Sequence, residues 1–230
     1  MAEAGTAKAV SAREQRRLHH QDLSRTQLLD AAEEVFGRKG FHDTTLKEVA
    51  ELAEFSVGSV YSFFANKDDL FRQIFVRRGD QFMEGLRALF ADEEASPAEL
   101  LHRLVDFEVG FFRNQPNFGR LYLHYSSAIM LTTDRDVDAY IADNYEEAMR
   151  LQTALIEQGQ RNGTFRTGDP QVLARLFSGI VSAYQALDPA VMSDDPAAGE
   201  RLPLAELHEV VEAAFAAPGS SDAAPNGRRP

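Results

Sequence analysis

The chain has 230 residues, a formal net charge of −12 and no cysteine. The missing cysteine excludes disulfide frameworks, thiolate zinc sites, iron–sulfur clusters and cysteine nucleophiles. The charge alone argues against a nucleic-acid partner, but residues 1–78 hold 12 basic and 12 acidic residues, so the whole excess lies in residues 79–230. No signal segment or membrane span is visible, so we expect a cytoplasmic protein with no membrane partner.

Helix-start patterns recur along the chain, whereas strand patterns do not. Three capping boxes precede apolar runs: Ser24-x-x-Gln27, Thr45-x-x-Glu48 and Ser96-x-x-Glu99. Between such starts, apolar residues recur at spacings of three and four, which is the period of a helix with one buried face. The patterns predict an all-α protein of about nine helices, at 25–39, 45–52, 56–63, 67–90, 97–114, 117–130, 135–161, 170–187 and 203–216.

Composition divides the chain into four parts. Residues 1–22 form a flexible basic arm carrying Arg13, Arg16 and Arg17, and residues 217–230 are a disordered tail rich in Pro, Gly, Ser and Ala. We assign residues 23–78 to a first domain and residues 79–216 to a second. Within the second domain, residues 188–202 read as a loop.

The densest pattern is the stretch TTLKEVAELAEFSVGSVYSFFANKDDL at residues 44–70. A capped helix of two turns begins at Thr45, and a second short helix begins at Ser56 after a four-residue turn. This is the helix-turn-helix layout, at about residues 45–64. Val60 and Phe64 share an apolar face, which leaves small side chains exposed at the start of the second helix. Such a helix can approach the floor of a major groove closely.

These residues resemble the tetracycline-repressor (TetR) family of bacterial transcription regulators. The similarity covers residues 24–75, and the family pattern is matched at the following positions: Phe36, Gly40, Phe41, Thr44, Thr45, Val49, Ala50, Ala53, Ser56, Gly58, Val60, Tyr61, Phe64, Lys67 and Leu70. The resemblance implies a homodimer that binds a double-stranded DNA operator through the first domain and a small-molecule effector through the second.

The resemblance also implies a set of DNA-binding residues, namely Arg25, Thr45, Lys47, Ser56, Val57, Gly58, Ser59, Tyr61, Ser62 and Lys67. Thr45, Tyr61 and Lys67 have the hydroxyls and charge that suit phosphate oxygens. Ser59 suits a hydrogen bond to a base edge and Val57 a thymine methyl. Lys47 and Arg25 would contact the DNA backbone. Each of these residues, taken alone, could equally be a packing or surface residue.

One position departs from the family pattern. Glu54 stands in the turn where the family usually has glycine, at a place that favours a left-handed backbone. Glutamate there should cost about 1 kcal/mol unless the turn is shifted.

The second domain has two further features. Helices 170–187 and 203–216 carry apolar stripes, for which we predict a four-helix dimer interface, with core packing within one chain as the alternative. The predicted interface residues are Leu173, Phe177, Ile180, Val181, Leu207, Val211 and Phe215. Interleaved aromatic and polar side chains predict a largely apolar effector site, again with plain core packing as the alternative. The predicted effector residues are His102, Phe107, Phe111, Tyr122, Tyr125, Phe177 and Tyr184.

Catalysis is disfavoured, and we predict no catalytic residue, metal or cofactor. Glu99-x-x-His102 is half of a helical di-iron pattern, but the second half is missing. The sequence therefore predicts a repressor that leaves a palindromic operator when a small molecule binds. Two alternatives stay open: a nucleoid or division factor of the same fold without a ligand, and a ligand-binding protein that no longer binds DNA.

Overall fold

The computed structural model describes residues 11–131, 139–193 and 199–218. It confirms the all-α prediction, since the described residues form the nine predicted helices, one additional helical turn and no strand. The helices are α1 (Ala12–Asp43), α2 (Leu46–Leu52), α3 (Val57–Phe63), α4 (Lys67–Phe90), α5 (Pro97–Arg113), α6 (Pro116–Leu131), α7 (Ala139–Arg161), α8 (Pro170–Leu187), α9 (Pro189–Met192) and α10 (Leu204–Phe215). None of the helices in these ranges is long and apolar enough to cross a membrane.

The chain divides into two compact units that meet in sequence at Ile74 and Phe75, within α4. The predicted boundary after residue 78 lies one helical turn further along the same helix. The predictions for residues 1–10 and for most of the C-terminal tail fall outside the described residues.

Helix α1 begins earlier than predicted. Residues 12–22, assigned to a flexible arm, are helical because Ser11 accepts a hydrogen bond from the Glu14 amide and supplies the N-terminal cap. Arg17 then lies 3.7 Å from the Glu14 carboxylate. The capping box predicted at Ser24 is therefore inside a helix and does not start one.

The first unit packs around the apolar face of α1. Leu28, Ala32 and Phe36 recur at helical spacing and are fully buried. The Phe36 ring meets Phe71 of α4 edge-on, with centroids 5.2 Å apart. This core fixes α2 and α3 through their own buried residues, Val49, Ala50 and Val60.

The second unit has a core shared by α4, α5, α7, α8 and α10. α7 packs along α8, and α10 packs against α5 and α8. One correction concerns the predicted loop 188–202, where Pro189–Met192 forms the one-turn helix α9. That turn is held because Arg113 pairs with the fully buried Asp188 carboxylate at 2.5 Å and donates to the Leu202 carbonyl at 2.7 Å.

Candidate nucleic-acid interface

The turn between α2 and α3 is closed by local hydrogen bonds. Thr45 caps α2 and exchanges hydrogen bonds with Glu48, so the predicted capping box is confirmed. At the other end, the Phe55 amide donates to the Ala50 carbonyl at 2.8 Å and the Glu54 amide donates to the Glu51 carbonyl at 3.2 Å. This pair is a Schellman motif, which requires a left-handed residue at Glu54. Glu54 has φ 59°, as the sequence predicted.

The Glu48 carboxylate joins α2 to the end of α1. Its pKa is lowered to about 2, first by the hydrogen bond from Lys39 and then by the bonds from Thr45. The ion pair with Lys39 is made in addition to the capping box. Glu48 therefore fixes the start of α2 from two directions.

Helix α3 presents its predicted contact residues to solvent. Ser56, Val57, Gly58, Tyr61 and Ser62 are exposed, while Val60 is fully buried beneath them. The Ser56 hydroxyl accepts from the Ser59 amide at 3.0 Å and lies 2.8 Å from the Ser59 hydroxyl. These hydroxyls stand at the first turn of the helix, where a DNA-reading helix makes its base contacts.

Tyr61 and Lys47 flank this surface. The Tyr61 side chain is 57% exposed, although a tyrosine ring is usually at least half-buried in a folded protein. The Lys47 side chain is 75% exposed, and its ammonium lies 3.5 Å from the carboxylate of Glu51, one turn along α2. Both side chains are positioned to contact a molecule outside the chain.

Gly58 has no structural requirement within the chain. A Cβ placed there would meet only the Ser56 hydroxyl at 3.7 Å, which is ordinary van der Waals contact. Glycine inside a helix costs about 1 kcal/mol relative to alanine. Packing within the chain therefore does not require glycine at this exposed position of α3.

Lys67 corrects a prediction about phosphate contacts. Its ammonium donates to three carbonyls at the end of α1, those of Phe41 at 2.8 Å, Thr44 at 3.0 Å and His42 at 3.3 Å. It also lies over the Phe41 ring, 4.4 Å from the centroid. An ammonium has three donors, so all of them are satisfied inside the first unit. The cation sits where a helix C-terminus favours positive charge.

Arg25 is also engaged within the first unit. Its guanidinium donates to the Gln73 side chain at 2.7 Å and lies over the Phe64 ring, 5.4 Å from the centroid. The side chain is half-buried. Arg25 thus contributes to the packing of α1 on α4.

The second unit contains a cavity of about 110 Å³, bounded by α4, α5, α6, α7 and α8. Six aromatic side chains line it: Phe75, Phe82, Phe112, Phe118, Tyr122 and Tyr145. Most of its exposed lining is apolar, and the polar groups are few. This is the composition of a small-molecule site.

A buried carboxyl group forms part of that lining. Glu108 is 7% exposed, and its Oε1 accepts a hydrogen bond from Gln152 at 2.9 Å. Gln152 is held in turn by the Ser178 hydroxyl at 2.8 Å. Burial raises the pKa of Glu108 to about 8, and it also raises the pKa of Tyr122.

Comparison with known proteins identifies the first unit. A model of the family described as bacterial regulatory proteins, tetR family, matches residues 28–74. An uncharacterized HTH-type transcriptional regulator of Bacillus subtilis, YfiR, is 29% identical over 161 residues, which are 69% of this chain and 76% of that protein. The family match and this relative support a TetR-family transcriptional regulator.

Solved structures of transcriptional regulators share the fold. The structure of the ketosteroid transcriptional regulator KstR2 of Mycobacterium tuberculosis matches with a TM-score of 0.67 at 19% identity, over 84% of this chain and 94% of that one. The structure of AibR in complex with isovaleryl coenzyme A and operator DNA matches with a TM-score of 0.67 at 20% identity, over 84% and 98%. The relatives that match are transcriptional regulators and not enzymes, which agrees with the sequence prediction.

The residues predicted for the effector site are mostly elsewhere in this TetR-family fold. Tyr122 is the one of the seven that lines the cavity. His102 stacks on His208 with centroids 4.7 Å apart, and Tyr184 donates to the Leu202 carbonyl. The remaining four pack against other rings: Phe107 and Phe111 against Phe82, Tyr125 against Phe75, and Phe177 against Phe215.

The predicted dimer residues require a correction. Six of the seven are buried within the single chain, and Ile180 packs against the same core. The apolar stripes of α8 and α10 face α5 and α7, so the alternative of intrachain packing is the right one for these residues. The opposite faces of the two helices carry exposed apolar side chains instead: Val172 at 52%, Leu176 at 54% and Val210 at 53% exposure.

Glu108 was missed at the sequence level, although the sequence contains an indication of it. It lies on the apolar stripe of α5, four residues after Leu104 and four before Phe112, both of which are buried. An acidic residue at such a position must be neutralised or hydrogen-bonded. Gln152 and Ser178 have no comparable pattern, because their partners lie on other helices.

Proposed function

We propose that the protein is a homodimeric repressor that binds a palindromic operator through α2 and α3 and is released by a small, largely apolar effector bound in the second unit. The exposed face of α3 supports this most directly. It combines hydroxyl groups, a valine and a glycine that no internal contact requires. These groups suit base edges, a thymine methyl and close approach to the groove floor.

Two protomers are needed because a seven-residue recognition helix reads only one half-site. The exposed apolar face of α8 and α10 supports a two-fold interface. Val172, Leu176 and Val210 are large apolar side chains, each more than half exposed in the isolated chain. An interface that buries them on both protomers would be isologous.

The proposed effector response passes along α4. This helix begins at Lys67, next to the helix-turn-helix, and its later residues Phe75, Phe82 and Met83 line the cavity. A ligand that displaces the later part of α4 would change the spacing of two recognition helices in a dimer. Recognition helices out of register with successive major grooves lose their joint contacts. AibR, a structural relative, was solved with both a ligand and operator DNA.

The DNA proposal is tested with a pair of glycine variants. The operator is first selected from a randomised duplex pool and footprinted for two half-sites about one helical turn apart. Gly58→Ala should raise thermal stability, because alanine favours helix, yet weaken operator binding at least about tenfold. Gly110→Ala on α5, where a Cβ meets no atom within 4 Å, is the matched control and should leave binding unchanged. Equal affinities of the two variants would contradict the proposed interface.

The dimer proposal is tested by sedimentation. Leu176→Asp places a charge on the exposed face of α8 and should shift the protein to monomers. Met192→Asp, at an apolar position on α9 that is 45% exposed, should remain dimeric. A monomeric wild type, or a dimer unaffected by Leu176→Asp, would remove this interface. Operator binding that no small molecule affects would favour the nucleoid or division factor instead.

A further inference from the structure

The cavity contains a carboxyl group that the chain itself does not neutralise. No basic side chain of the described residues forms an ion pair with Glu108, and burial is the cause of its raised pKa. Arg78 also lines the cavity, but it donates to Gln81 at 2.8 Å and does not lower the pKa of Glu108. A buried carboxyl without a cation is costly to ionise, and groups with such raised pKa values are concentrated at functional sites.

The hydrogen bonds around Glu108 leave one carboxyl oxygen for a ligand. Gln152 donates to Oε1, and the amide of Gln152 is oriented by Ser178. The Gln185 side chain donates to the main-chain carbonyl of Glu108 at 3.2 Å, not to its carboxyl group. Among the described residues, Oε2 therefore has no donor. One carboxyl oxygen is thus fixed by a hydrogen bond, while the other accepts none from the described residues.

The rest of the lining suits the same kind of ligand. Six aromatic rings surround the space, and aromatic faces attract cations through their quadrupoles. The volume of about 110 Å³ is near that of an engineered cavity of about 150 Å³ that binds benzene. A single ring or a short alkyl chain is of the size that fills such a space.

We infer that the effector is a small organic cation, an amine on a compact apolar body, whose ammonium pairs with Oε2 of Glu108 inside the aromatic lining. This inference rests on the proposed effector site and narrows it: the ligand is largely apolar but carries one positive charge. Binding moves a proton from the Glu108 carboxyl group to solvent. The resulting carboxylate accepts an N–H bond from the ammonium, and no covalent bond is formed or broken in the ligand.

The inference is tested by calorimetry with matched probes that differ only in charge: benzylamine against benzyl alcohol, and butylamine against butan-1-ol. Wild type should bind each amine at least about tenfold more tightly than its alcohol. At pH 7, repeating the benzylamine titration in buffers of different ionisation enthalpy should show release of about 0.9 proton per ligand, since Glu108 begins mostly protonated.

Glu108→Gln keeps an oxygen that accepts from Gln152 but removes the charge. It should lose the preference for amines while binding the alcohols within about twofold of wild type. Glu93→Gln, an exposed carboxylate outside the cavity, is the matched control and should behave as wild type. Thermal stability and operator binding of both variants show that they are folded.

The outcomes separate this inference from the proposed function. Equal affinity for amines and alcohols, tighter binding of benzoate than of benzylamine, or no proton release would overturn the cation assignment even if the operator is bound and released. Absence of operator binding by wild type would instead overturn the repressor proposal, and the amine preference would still stand as a property of the second unit.

Discussion

The left-handed Glu54 gives the sharpest test of the reasoning from sequence to stability. Its φ of 59° is the one positive value at a non-glycine residue among the described parts of the chain. A side chain in this region costs about 1 kcal/mol relative to glycine. The two hydrogen bonds of the Schellman motif do not depend on the side chain. Glu54→Gly should therefore keep the turn and remove the strain, for a gain of about 1 kcal/mol.

The gain is measured by urea denaturation and by calorimetric melting of the full chain. If the first unit melts as its own transition, about 1 kcal/mol corresponds to roughly 4–8 °C for a domain of that size. Glu54→Ala is the first control, because it removes the carboxylate and keeps the Cβ, and it should gain at most a few tenths of a kcal/mol. Glu51→Gly, in the last turn of α2, is the second control and should lose about 1 kcal/mol.

Operator affinity is measured on the same proteins. The Glu54 carboxylate is exposed beside the proposed interface, so its removal should leave binding equal or stronger. A Glu54→Gly protein that melts below wild type, or no higher than Glu54→Ala, would refute the strain argument. Either result would mean that the glutamate side chain stabilises the turn.

Three further predictions follow from the charged groups. Lys67→Met should lower stability by about 1–3 kcal/mol because three carbonyls lose their donor, while the slope of operator affinity against salt stays unchanged. A slope reduced by about one would instead show a phosphate contact. The pKa of Glu48 is lowered from 4.5 to about 2, so the advantage of wild type over Glu48→Gln should be complete above pH 4.5 and vanish as the pH falls through 2 in acid-unfolding curves. The pKa of Glu108 is raised from 4.5 to about 8. Wild type should therefore lose stability relative to Glu108→Gln as the pH rises from 4.5 to 8, by on the order of 5 kcal/mol in urea titrations. A flat difference across the window would mean that Glu108 is hydrated.

Local patterns were predictable from the sequence because their causes lie within a few residues. The caps at Thr45, Ser56 and Ser96 all form as expected, since each hydroxyl needs only an amide three residues later. The helix-turn-helix follows from two such caps and one turn. The strain at Glu54 could also be predicted, because a turn of this kind requires a left-handed backbone at that position.

Partners across the fold could not be predicted in the same way. An apolar stripe shows that one face of a helix is covered, but it does not show whether the same chain or a second one covers it. Phe177 and Val211 were therefore assigned to a dimer when they form the core. The role of Lys67 depends on carbonyls more than twenty residues away in sequence. For the same reason Gln152, which positions Glu108, had no pattern to reveal it.

The hydrogen bonds of Lys67 to the end of α1 also affect how a new operator specificity can arise. Its ammonium ties the carbonyls of Phe41 and Thr44 to the first residue of α4, so both ends of the segment 45–66 are held together. The proposed recognition surface thus lies between two fixed anchor points and is supported by the buried Val60. Its outward residues should be exchangeable without a change in the surrounding helices. A relative's recognition helix, grafted between these anchors, should transfer operator preference while the second unit keeps its own ligand response.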